Sequence, residues 1–401
     1  MSKDIYDPIH GFITITPLMQ SIIDTPEYQR LRDLKQLGAT YYVYPSATHT
    51  RFEHSLGVSY LAGNLLQELQ KKQPELALSN KTIDLVRIAG LIHDIGHGPF
   101  SHLYDNYVKD CDEPLHEVRS IQIFKNMVQT KKNIQLSEHD INFICNLINP
   151  PEHLQNNWLY QIICNKINEI DVDKIDYILR DSYHIGLQIQ GEFSRIINNC
   201  RVVSYNNDLV LAWSSKIQYD IFLLFSSRFR LHKQVYTHHA VKSFEYILIP
   251  ILKKMKTTNP DFIDFTDSSV LNRLNSPYIK ELDEINKRKI PIMIGEKIIT
   301  NNDLLHKTRD EFINSLFTNL QEKYIYETIS IGLSSSFTNP LNNVYYFNNS
   351  NKNEGYLINP QDFSFIIPTN FNETIIRLYA KKNKYVKNGE ILWFQINNYL
   401  S

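Results

Sequence analysis

Apolar residues recur at helical intervals through most of the first 255 residues of the chain. In residues 51–69 they follow one another three or four positions apart, which places them on one side of a helix. The same spacing predicts helices over residues 82–94 and 172–183, and one long helix over residues 218–253. The pattern therefore predicts a helical body for this part of the chain.

The N-terminal residues lack helical periodicity and include residues that interrupt helices. Residues 1–16 are predicted to be extended, with one proline and one glycine among them. A short helix is predicted next, because Thr25 suits an N-cap and Pro26 suits the first helical position. This helix is expected to continue as far as Gly38, since glycine is typical of the position just past a helix end.

After residue 255 the helical spacing of apolar residues is replaced by short β-rich runs, which clusters of Asn and Lys separate. The predicted elements are strands at residues 328–331, 344–347 and 375–380 and a final helix at residues 389–399. An earlier hairpin is predicted where residues 202–205 and 209–213 flank a polar turn. We therefore predict a mainly α fold, with a helical domain over residues 1–255 that includes a short β-hairpin, and a smaller α+β lobe over residues 256–401.

Composition narrows the class of protein. The 401 residues include 42 basic and 43 acidic side chains and carry a formal net charge of -1, so the basic excess of a general nucleic-acid binder is absent. None of the four cysteines has C-x-x-C spacing, which argues against a thiolate zinc site. Four cysteines in a chain of this length do not indicate a disulfide scaffold, which favours a reducing compartment. The N-terminus has no apolar leader, and the apolar runs are too short to span a membrane. We expect a soluble intracellular protein, of the cytoplasm or the nucleus.

The strongest local signal for chemistry is the run HDIGHGPFSH at residues 93–102. His93 and Asp94, adjacent at the end of a predicted helix, can both turn toward one cation. A mixed set of imidazole and carboxylate ligands suits Mn, Fe or Zn, and the glycines allow a tight turn over the site. A pair of this kind also arises by chance, so surface or core histidines remain the alternative at this point.

Two further segments favour the metal interpretation. His54 opens one predicted helix, and Asp173, Tyr177 and Asp181 share one face of another because they are four residues apart. A solvated face is the alternative, but apolar residues occupy the other faces of that helix. A buried carboxylate needs a partner or a metal.

The long predicted helix carries a similar polar stripe. Arg228, His232 and Tyr236 are four residues apart within an otherwise apolar stretch. Such a stripe indicates either a polar pocket or one edge of the helix that reaches solvent. Both interpretations stay open on the pattern alone.

Several longer motifs resemble one known family. They are DPIHG at 7–11, IDTP at 23–26, QRLR at 29–32, QLG at 36–38, RFEHSLGV at 51–58, HDIGHGPFSH at 93–102, IDVDK at 170–174 and IIRLYAKK at 375–382. Together they closely resemble the catalytic core of the sterile-alpha-motif and HD-domain dNTP triphosphohydrolases. The likeness covers most of the chain and is densest before residue 240. Since the core motifs begin by residue 7, we expect no sterile-alpha-motif domain before them.

The resemblance implies an HD-type catalytic helical domain with an N-terminal regulatory segment. Its implied activity is the hydrolysis of dNTPs to deoxynucleoside and inorganic triphosphate. The implied metal ligands are His54, His93, Asp94 and Asp173, holding Fe, Mn or Zn, with Mg on the nucleotide phosphates. The implied catalytic residues are His116, its orienting partner Asp105, and His97 and His102 against the phosphates.

The resemblance also implies a substrate pocket. Its triphosphate contacts are Arg51, Lys174, Tyr177 and Arg228. Gln36 and Asp181 resemble the pair that holds the 3′-hydroxyl, Leu37 touches the base, and Tyr236 leaves no space for a 2′-hydroxyl. His232 joins this set through the polar stripe described above. Thr237 replaces a larger amide of the family, so base preference is open.

Regulation is implied by the same likeness. Asp24, Gln29 and Arg32 match the guanine pocket of a family that GTP or dGTP activates by building an oligomer, so a homodimer or homotetramer is expected. Lys3, Arg195 and Lys216 match a neighbouring dNTP activator site. The residues that depart from that site are Tyr6, Ser214, Asp220 and His239. Lost positive charge at Ser214 and His239 should weaken a triphosphate contact, so activation can differ or be absent.

Two other functions remain as alternatives. One is an HD phosphohydrolase that acts on a nucleoside monophosphate or a cyclic dinucleotide. The other is a non-enzymatic nucleotide sensor or single-stranded nucleic-acid binder that has kept the pocket. The intact ligand set argues against the second.

Overall fold

The computed structural model describes residues 2–189, 191–273, 279–299, 320–335, 338–364, 368 and 370–400. The α-helices are α1 (Pro17–Ile23), α2 (Pro26–Gln29), α3 (Arg51–Lys72), α4 (Asn80–Ile92), α5 (His116–Thr130), α6 (Glu138–Ile148), α7 (Val172–Ile185), α8 (Ser194–Asn198), α9 (Gln218–Leu231), α10 (His239–Thr258), α11 (Asp267–Arg273), α12 (Ile279–Asn286), α13 (Pro360–Phe363) and α14 (Val386–Tyr399). The strands are β1 (Lys3–Asp7), β2 (Gly11–Ile15), β3 (Cys200–Tyr205), β4 (Asp208–Ser214), β5 (Ile292–Ile299), β6 (Tyr324–Gly332), β7 (Tyr345–Phe347), β8 (Tyr356–Leu357) and β9 (Asn372–Ala380).

The chain forms two compact units. The first contains Met1–Ser227, Asp261–Ser268 and Pro340–Ile367, and the second contains Arg228–Pro260, Ser269–Asn339 and Pro368–Ser401. The division predicted at residue 255 stays a prediction.

Helices α3, α4 and α7 form the centre of the first unit. A capping box between Thr50 and Glu53 starts α3, and it satisfies two backbone N–H groups that would otherwise lack partners. α3 packs along both α4 and α7. Gly90 permits the close approach of α4, because a Cβ there would lie only 3.1 Å from the backbone nitrogen of Ser59. The predicted helices at residues 51–69, 82–94 and 172–183 are confirmed.

Two predicted helices differ in the structure. The helix expected to reach Gly38 ends as α-helix at Gln29 and continues only as a 3₁₀ turn over Arg30–Asp33. Gly38 instead has a φ of +50°, and a Cβ there would lie 2.8 Å from the carbonyl oxygen of Phe100. It is therefore needed for a close backbone contact rather than for a helix end.

The long helix predicted over residues 218–253 is interrupted. α9 ends at Leu231, a π-helical turn covers His232–Tyr236, and α10 starts at His239. The break is stabilised locally, because both the backbone N–H and the hydroxyl of Thr237 donate to the carbonyl of His232, at 3.0 and 2.8 Å. The side chain of His238 then caps α10.

Strands complete both units. β1 and β2 form an N-terminal hairpin, as the extended residues 1–16 predict. The hairpin of β3 and β4 is also confirmed, but it belongs to a four-stranded sheet in the order β3-β4-β7-β8. In the second unit α14 packs on the sheet β5-β9-β6. The mainly α fold with a smaller α+β region is thus confirmed.

None of the helices in the described ranges is both long and apolar enough to cross a bilayer.

Candidate metal and catalytic site

Four side chains from three helical segments bring their ligand atoms together in the first unit. His54 lies in the first turn of α3, His93 and Asp94 follow the last turn of α4, and Asp173 lies in the first turn of α7. Nε2 of His54 is 3.0 Å from Oδ1 of Asp173 and 3.6 Å from Oδ2 of Asp94. Nε2 of His93 is 3.4 Å from Oδ1 of Asp173 and 3.5 Å from Oδ1 of Asp94.

This arrangement fits a divalent metal. Ligand atoms about 2.0–2.2 Å from one ion lie roughly 3.0–3.5 Å from each other in regular geometry, which matches the observed separations. Nε2 of His93 is buried and has no hydrogen-bond partner among the described residues. A metal would give this nitrogen the partner it needs.

The other nitrogen of each histidine fixes its orientation. Nδ1 of His54 donates to Oδ2 of Asp176 at 2.8 Å, and Nδ1 of His93 donates to the carbonyl oxygen of Gly90 at 2.7 Å. Each imidazole therefore turns its Nε2 toward Oδ1 of Asp173. Orienting partners of this kind set the tautomer of histidines that bind metals.

Opposite charges in the cluster move the pKa of each member. Burial opposes a charge on His54, but hydrogen bonds to Asp173 and Asp176 outweigh burial and raise the pKa of the imidazole to about 10. Burial lowers the pKa of His93, but Asp94 and Asp173 together outweigh burial and raise it. Burial favours a neutral Asp94, yet the guanidinium of Arg51 holds the pKa of that carboxyl well below its usual range.

Arg51 forms part of the wall of the cluster. Its Nη1 pairs with Asp94, its Nε donates to the hydroxyl of Ser101 at 2.7 Å, and its side chain is 2% exposed. Ser101 in turn donates to the carbonyl of Lys35 at 2.8 Å. Arg51, the predicted phosphate contact, therefore lies against Asp94, a candidate metal ligand. Its guanidinium group is already bound to protein groups.

A second group of histidines adjoins the four ligands. Nδ1 of His116 is 2.8 Å from Oδ2 of Asp105, and Oδ1 of Asp105 accepts from Arg119 at 2.6 Å. Burial raises the pKa of Asp105, but the hydrogen bond to His116 and neighbouring positive charges lower it below its usual range. The carboxylate stays charged and holds His116 in one orientation.

His97 and His102 surround His116. The ring of His97 stacks on that of His116 with centroids 3.8 Å apart, and the ring of His102 meets His116 edge-on at 5.8 Å. His97 is buried, and burial, then the charge of Arg51, lowers the pKa of its imidazole well below its usual range. The ring of His97 is therefore neutral near pH 7, whereas His102 is exposed. Nε2 of His97 lies 3.3 Å from Oδ1 of Asp94, which joins the two groups.

Glycine is required where these groups meet. A Cβ on Gly96 would lie 2.3 Å from the carbonyl oxygen of His116 and 2.4 Å from the backbone nitrogen of Ser120. The N–H of Gly96 donates to the hydroxyl of Ser120 at 2.9 Å. This contact sets the start of α5, and with it His116, against the turn after α4.

Gln36 and Asp181, predicted to hold a 3′-hydroxyl, are linked through His49. The backbone N–H of Gln36 donates to the carbonyl of His49 at 3.0 Å, and Nε2 of His49 donates to Oδ1 of Asp181 at 2.7 Å. Oε1 of Gln36 is buried with no partner in the described ranges. Leu37, beside them, is half-buried.

The remaining substrate candidates lie in different surroundings. Lys174 is buried and donates to the carbonyl of Glu169 at 2.7 Å and to its carboxylate at 3.1 Å. Tyr177 lies one turn after Asp173 on α7. Arg228, His232 and Tyr236 belong to the second unit. There Nη1 of Arg228 donates to the carbonyl of Gly332 at 2.7 Å, and the rings of His232 and Tyr236 meet edge-on at 4.9 Å.

The candidates for guanine recognition are close to each other. Gln29 donates from its side chain to the carbonyl of Ile23 at 2.8 Å, next to Asp24. Arg32 donates to Oε1 of Gln29 at 2.8 Å and lies over the ring of Phe52 at 3.5 Å. The structure therefore brings Asp24, Gln29 and Arg32 to one short segment.

The second activator set is less uniform. Nη1 of Arg195 pairs with a carboxylate oxygen of Asp220 at 3.0 Å, so one of the departing residues already engages one of the matching cations. Lys216 donates its backbone N–H to the hydroxyl of Ser214 at 3.5 Å. Lys3 is exposed on β1.

Sequence reasoning did not identify the groups that hold the ligands in place. Asp176, with Arg180 and His10, lies behind His54, and Asp267 joins two segments near Arg51. A local signal existed for one pair, since Asp176 and Arg180 are opposite charges four residues apart on the same helix, and both are buried. Partners distant in sequence, such as His10, left no local pattern.

Known proteins resemble this chain along most of its length. The HD domain family matches residues 51–181, a range that contains all four converging ligands. The chain is 33% identical over 443 residues to deoxynucleoside triphosphate triphosphohydrolase SAMHD1 of Homo sapiens, covering 95% of this chain and 70% of that protein.

Two further relatives show a similar extent of likeness. The SAMHD1 homolog of Dictyostelium discoideum is 32% identical over 410 residues, covering 96% of this chain and 78% of that protein. A putative HD domain-containing protein of Acanthamoeba polyphaga mimivirus is 31% identical over 440 residues, covering 98% of this chain and 94% of that protein.

Proposed function

This chain belongs to the family of SAMHD1 deoxynucleoside triphosphate triphosphohydrolases, and we infer that it hydrolyses dNTPs to deoxynucleoside and inorganic triphosphate in a metal-dependent reaction. The main support for this conclusion is that Nε2 of His54 and Nε2 of His93 each lie within 3.6 Å of one carboxylate oxygen of Asp173 and one of Asp94. This cluster lies in a chain that aligns with the human enzyme over 95% of its length.

His54, His93, Asp94 and Asp173 would hold the metal. Imidazole and carboxylate ligands together favour Fe, Mn or Zn at this position, with Mg accompanying the nucleotide phosphates. When bound, such a metal lowers the pKa of a water and polarises a phosphate oxygen. The protein's part is to keep the four ligand atoms in position, which the hydrogen bonds to Asp176 and Gly90 support.

His116 is the proton donor for the leaving 5′-oxygen. A general acid needs a fixed orientation and a partner that stabilises its charged form, and Asp105 provides both at 2.8 Å. His97 and His102 donate hydrogen bonds to the phosphates, His97 as a neutral ring, since burial favours its uncharged form, and His102 from an exposed position beside it.

Substrate binding follows the same reasoning. Lys174, Tyr177 and Arg51 contact the triphosphate, where cationic side chains suit a polyphosphate. Gln36 and Asp181 hold the 3′-hydroxyl, and Leu37 touches the base. The family resemblance alone supports the proposal that the substrate also contacts Arg228, His232 and Tyr236.

We further propose that a guanine nucleotide binds at Asp24, Gln29 and Arg32. The carboxylate of Asp24 can accept from a guanine base while the other two side chains donate to it. Lys3, Arg195 and Lys216 form a second activator site, weakened by the charge of Asp220 beside Arg195. Activation by GTP or dGTP would accompany assembly into a homodimer or homotetramer.

An intracellular location, in the cytoplasm or the nucleus, is also part of the proposal. All four cysteines lie in the described part of the chain and are free thiols, as a reducing compartment would leave them.

The test is product identification. Metal-loaded protein is incubated with dGTP, with and without GTP, and the products are separated by ion-exchange chromatography. Deoxyguanosine and inorganic triphosphate in equal amounts support the proposal. Monophosphate with pyrophosphate would overturn it, and so would turnover by a protein in which both His93 and Asp94 are replaced by alanine.

A further inference from the structure

The carboxylate of Asp176 lies between two histidines from distant parts of the chain. Its Oδ2 accepts from Nδ1 of the metal ligand His54 at 2.8 Å, and its Oδ1 accepts from Nε2 of His10 at 2.6 Å. Arg180 donates to both oxygens, at 2.9 and 3.1 Å. Because a carboxylate only accepts hydrogen bonds, these donors fix its position and, through it, the ring of His54.

His10 belongs to the turn of the N-terminal hairpin formed by β1 and β2. The same guanidinium of Arg180 donates from Nη1 to Oδ2 of Asp7 at 2.8 Å. The other oxygen of Asp7 accepts from the backbone N–H groups of Ile9 and His10, each at 2.9 Å. The turn is therefore built on a carboxylate that is itself attached to α7.

Both ends of this chain of contacts are protected from solvent. Asp176 and Arg180 are fully buried, and Asp7 is 3% exposed. The ring of His10 lies against that of Tyr60 on α3, with centroids 5.1 Å apart. In a site this dry, each hydrogen bond is costly to lose, because a buried polar group without a partner is strongly destabilising.

Helix α3 leaves space for the network at one position. A Cβ on Gly57 would lie 1.9 Å from Oδ1 of Asp176 and 2.4 Å from Nη2 of Arg180. No side chain can be accommodated there without displacing the carboxylate. Gly57 therefore has a reason to be glycine that helix formation alone would not supply.

We propose that the N-terminal hairpin is part of the metal centre, with His10 acting through Asp176 as a positioning residue for His54. This inference rests on the proposed function only in naming the metal ligands. It also provides a physical route from β1, which carries Lys3 of the second activator site, to the metal. A displacement of the hairpin would loosen His54.

The test compares His10→Phe with His10→Gln in the full-length protein. Phenylalanine keeps a ring for Tyr60 but donates no hydrogen bond, whereas the amide of glutamine can still donate to Asp176. The dissociation constant for Mn²⁺ is measured on metal-stripped protein without nucleotide, beside Tm and the dependence of kcat and KM on Mn²⁺ concentration. Thr14→Val is the matched control, since it removes an exposed hydrogen bond from Thr14 to Asp4 within the same hairpin.

Removing an orienting partner of a metal ligand weakens metal affinity by about 10–100-fold, and we expect His10→Phe to reach the lower end, on the order of tenfold. His10→Gln and Thr14→Val should bind Mn²⁺ like the unmodified protein, and excess Mn²⁺ should restore kcat in His10→Phe. Unchanged Mn²⁺ affinity in a folded His10→Phe protein would overturn the proposal. Equal losses of affinity and of Tm in both His10 variants would also overturn it, by indicating a role in stability alone.

A milder variant covers the case in which His10→Phe fails to fold. His10→Asn avoids a bulky ring, but its shorter side chain cannot reach Asp176 as Nε2 of His10 does. A loss of Mn²⁺ affinity is therefore expected, and an affinity equal to that of the unmodified protein would contradict the proposal. Mn²⁺ binding is independent of dNTP turnover. A protein that binds Mn²⁺ through this network but releases no triphosphate would therefore refute the proposed function and leave this inference standing.

Discussion

At the scale of single residues, His116 owes its orientation to Asp105. The carboxylate accepts from His116 with one oxygen and from Arg119 with the other, so neither group can rotate independently. The stacked ring of His97 closes the other side. A proton donor held in this way does not have to be reoriented during turnover.

We predict that Asp105→Asn lowers kcat about 10²-fold or more, since general acid catalysis contributes on that order, while KM changes little. Steady-state kinetics with dGTP would measure both. Asp112→Asn, an exposed change in the same loop, is the matched control and should leave kcat unaltered. An Asp105→Asn protein with normal kcat would exclude this role for His116.

Metal binding should release protons near neutral pH. The pKa of His54 is raised to about 10 in the metal-free protein, so its imidazole is charged below that pH and must lose a proton before it can bind a metal. Apparent Mn²⁺ affinity should therefore rise as pH increases toward that value. Calorimetric titration in two buffers of different ionisation enthalpy would count the protons, and the absence of any release would contradict the assignment of His54 as a ligand.

At the scale of secondary-structure elements, Asp267 joins two segments that support the site. It is the first residue of α11, and its two oxygens accept from the backbone N–H groups of Lys35 at 3.0 Å and Phe100 at 2.7 Å. Phe100 and Ser101 both have a positive φ, 61° and 57°, a conformation that costs energy in residues with side chains. The carboxylate of Asp267 therefore helps to hold a strained turn in place.

Asp267→Ala should destabilise the protein by about 2 kcal/mol or more, because it leaves buried N–H groups without partners. Ser268→Ala is the control, since its hydroxyl makes only an exposed contact with Asp33, and it should cost less than about 0.5 kcal/mol. Denaturant unfolding followed by circular dichroism would compare them. Equal stability of the two variants would refute this stabilising role of Asp267.

The same scale shows what the sequence could predict. Periodicity predicted α3, α4 and α7 because apolar residues recur three or four positions apart in each. The break after α9 was missed because a π turn and Thr237 interrupt the helix without disturbing its apolar pattern. The partnership of His10 with Asp176 was missed because 166 residues separate them, and contacts of that range leave no periodic signal.

At the scale of the whole molecule, every proposed metal ligand and proton-transfer residue comes from the first compact unit. These residues come from α3, α5, α7 and the segment after α4, and a carboxylate or a carbonyl orients each of His54, His93 and His116. The motifs at residues 51–58 and 93–102 identified the site from sequence, whereas the groups that orient it required the structure. We propose that these residues together direct water to the α-phosphorus of a dNTP.

Hydrolysis of dGTP in oxygen-18 water tests that claim most directly, with mass spectrometry of both products. Attack at the α-phosphorus places the heavy oxygen in the inorganic triphosphate and leaves the 5′-oxygen of deoxyguanosine unlabelled. We expect one labelled oxygen per triphosphate from the protein that retains His54, His93, Asp94 and Asp173. Label in deoxyguanosine, or label in pyrophosphate or monophosphate as the first products, would contradict it.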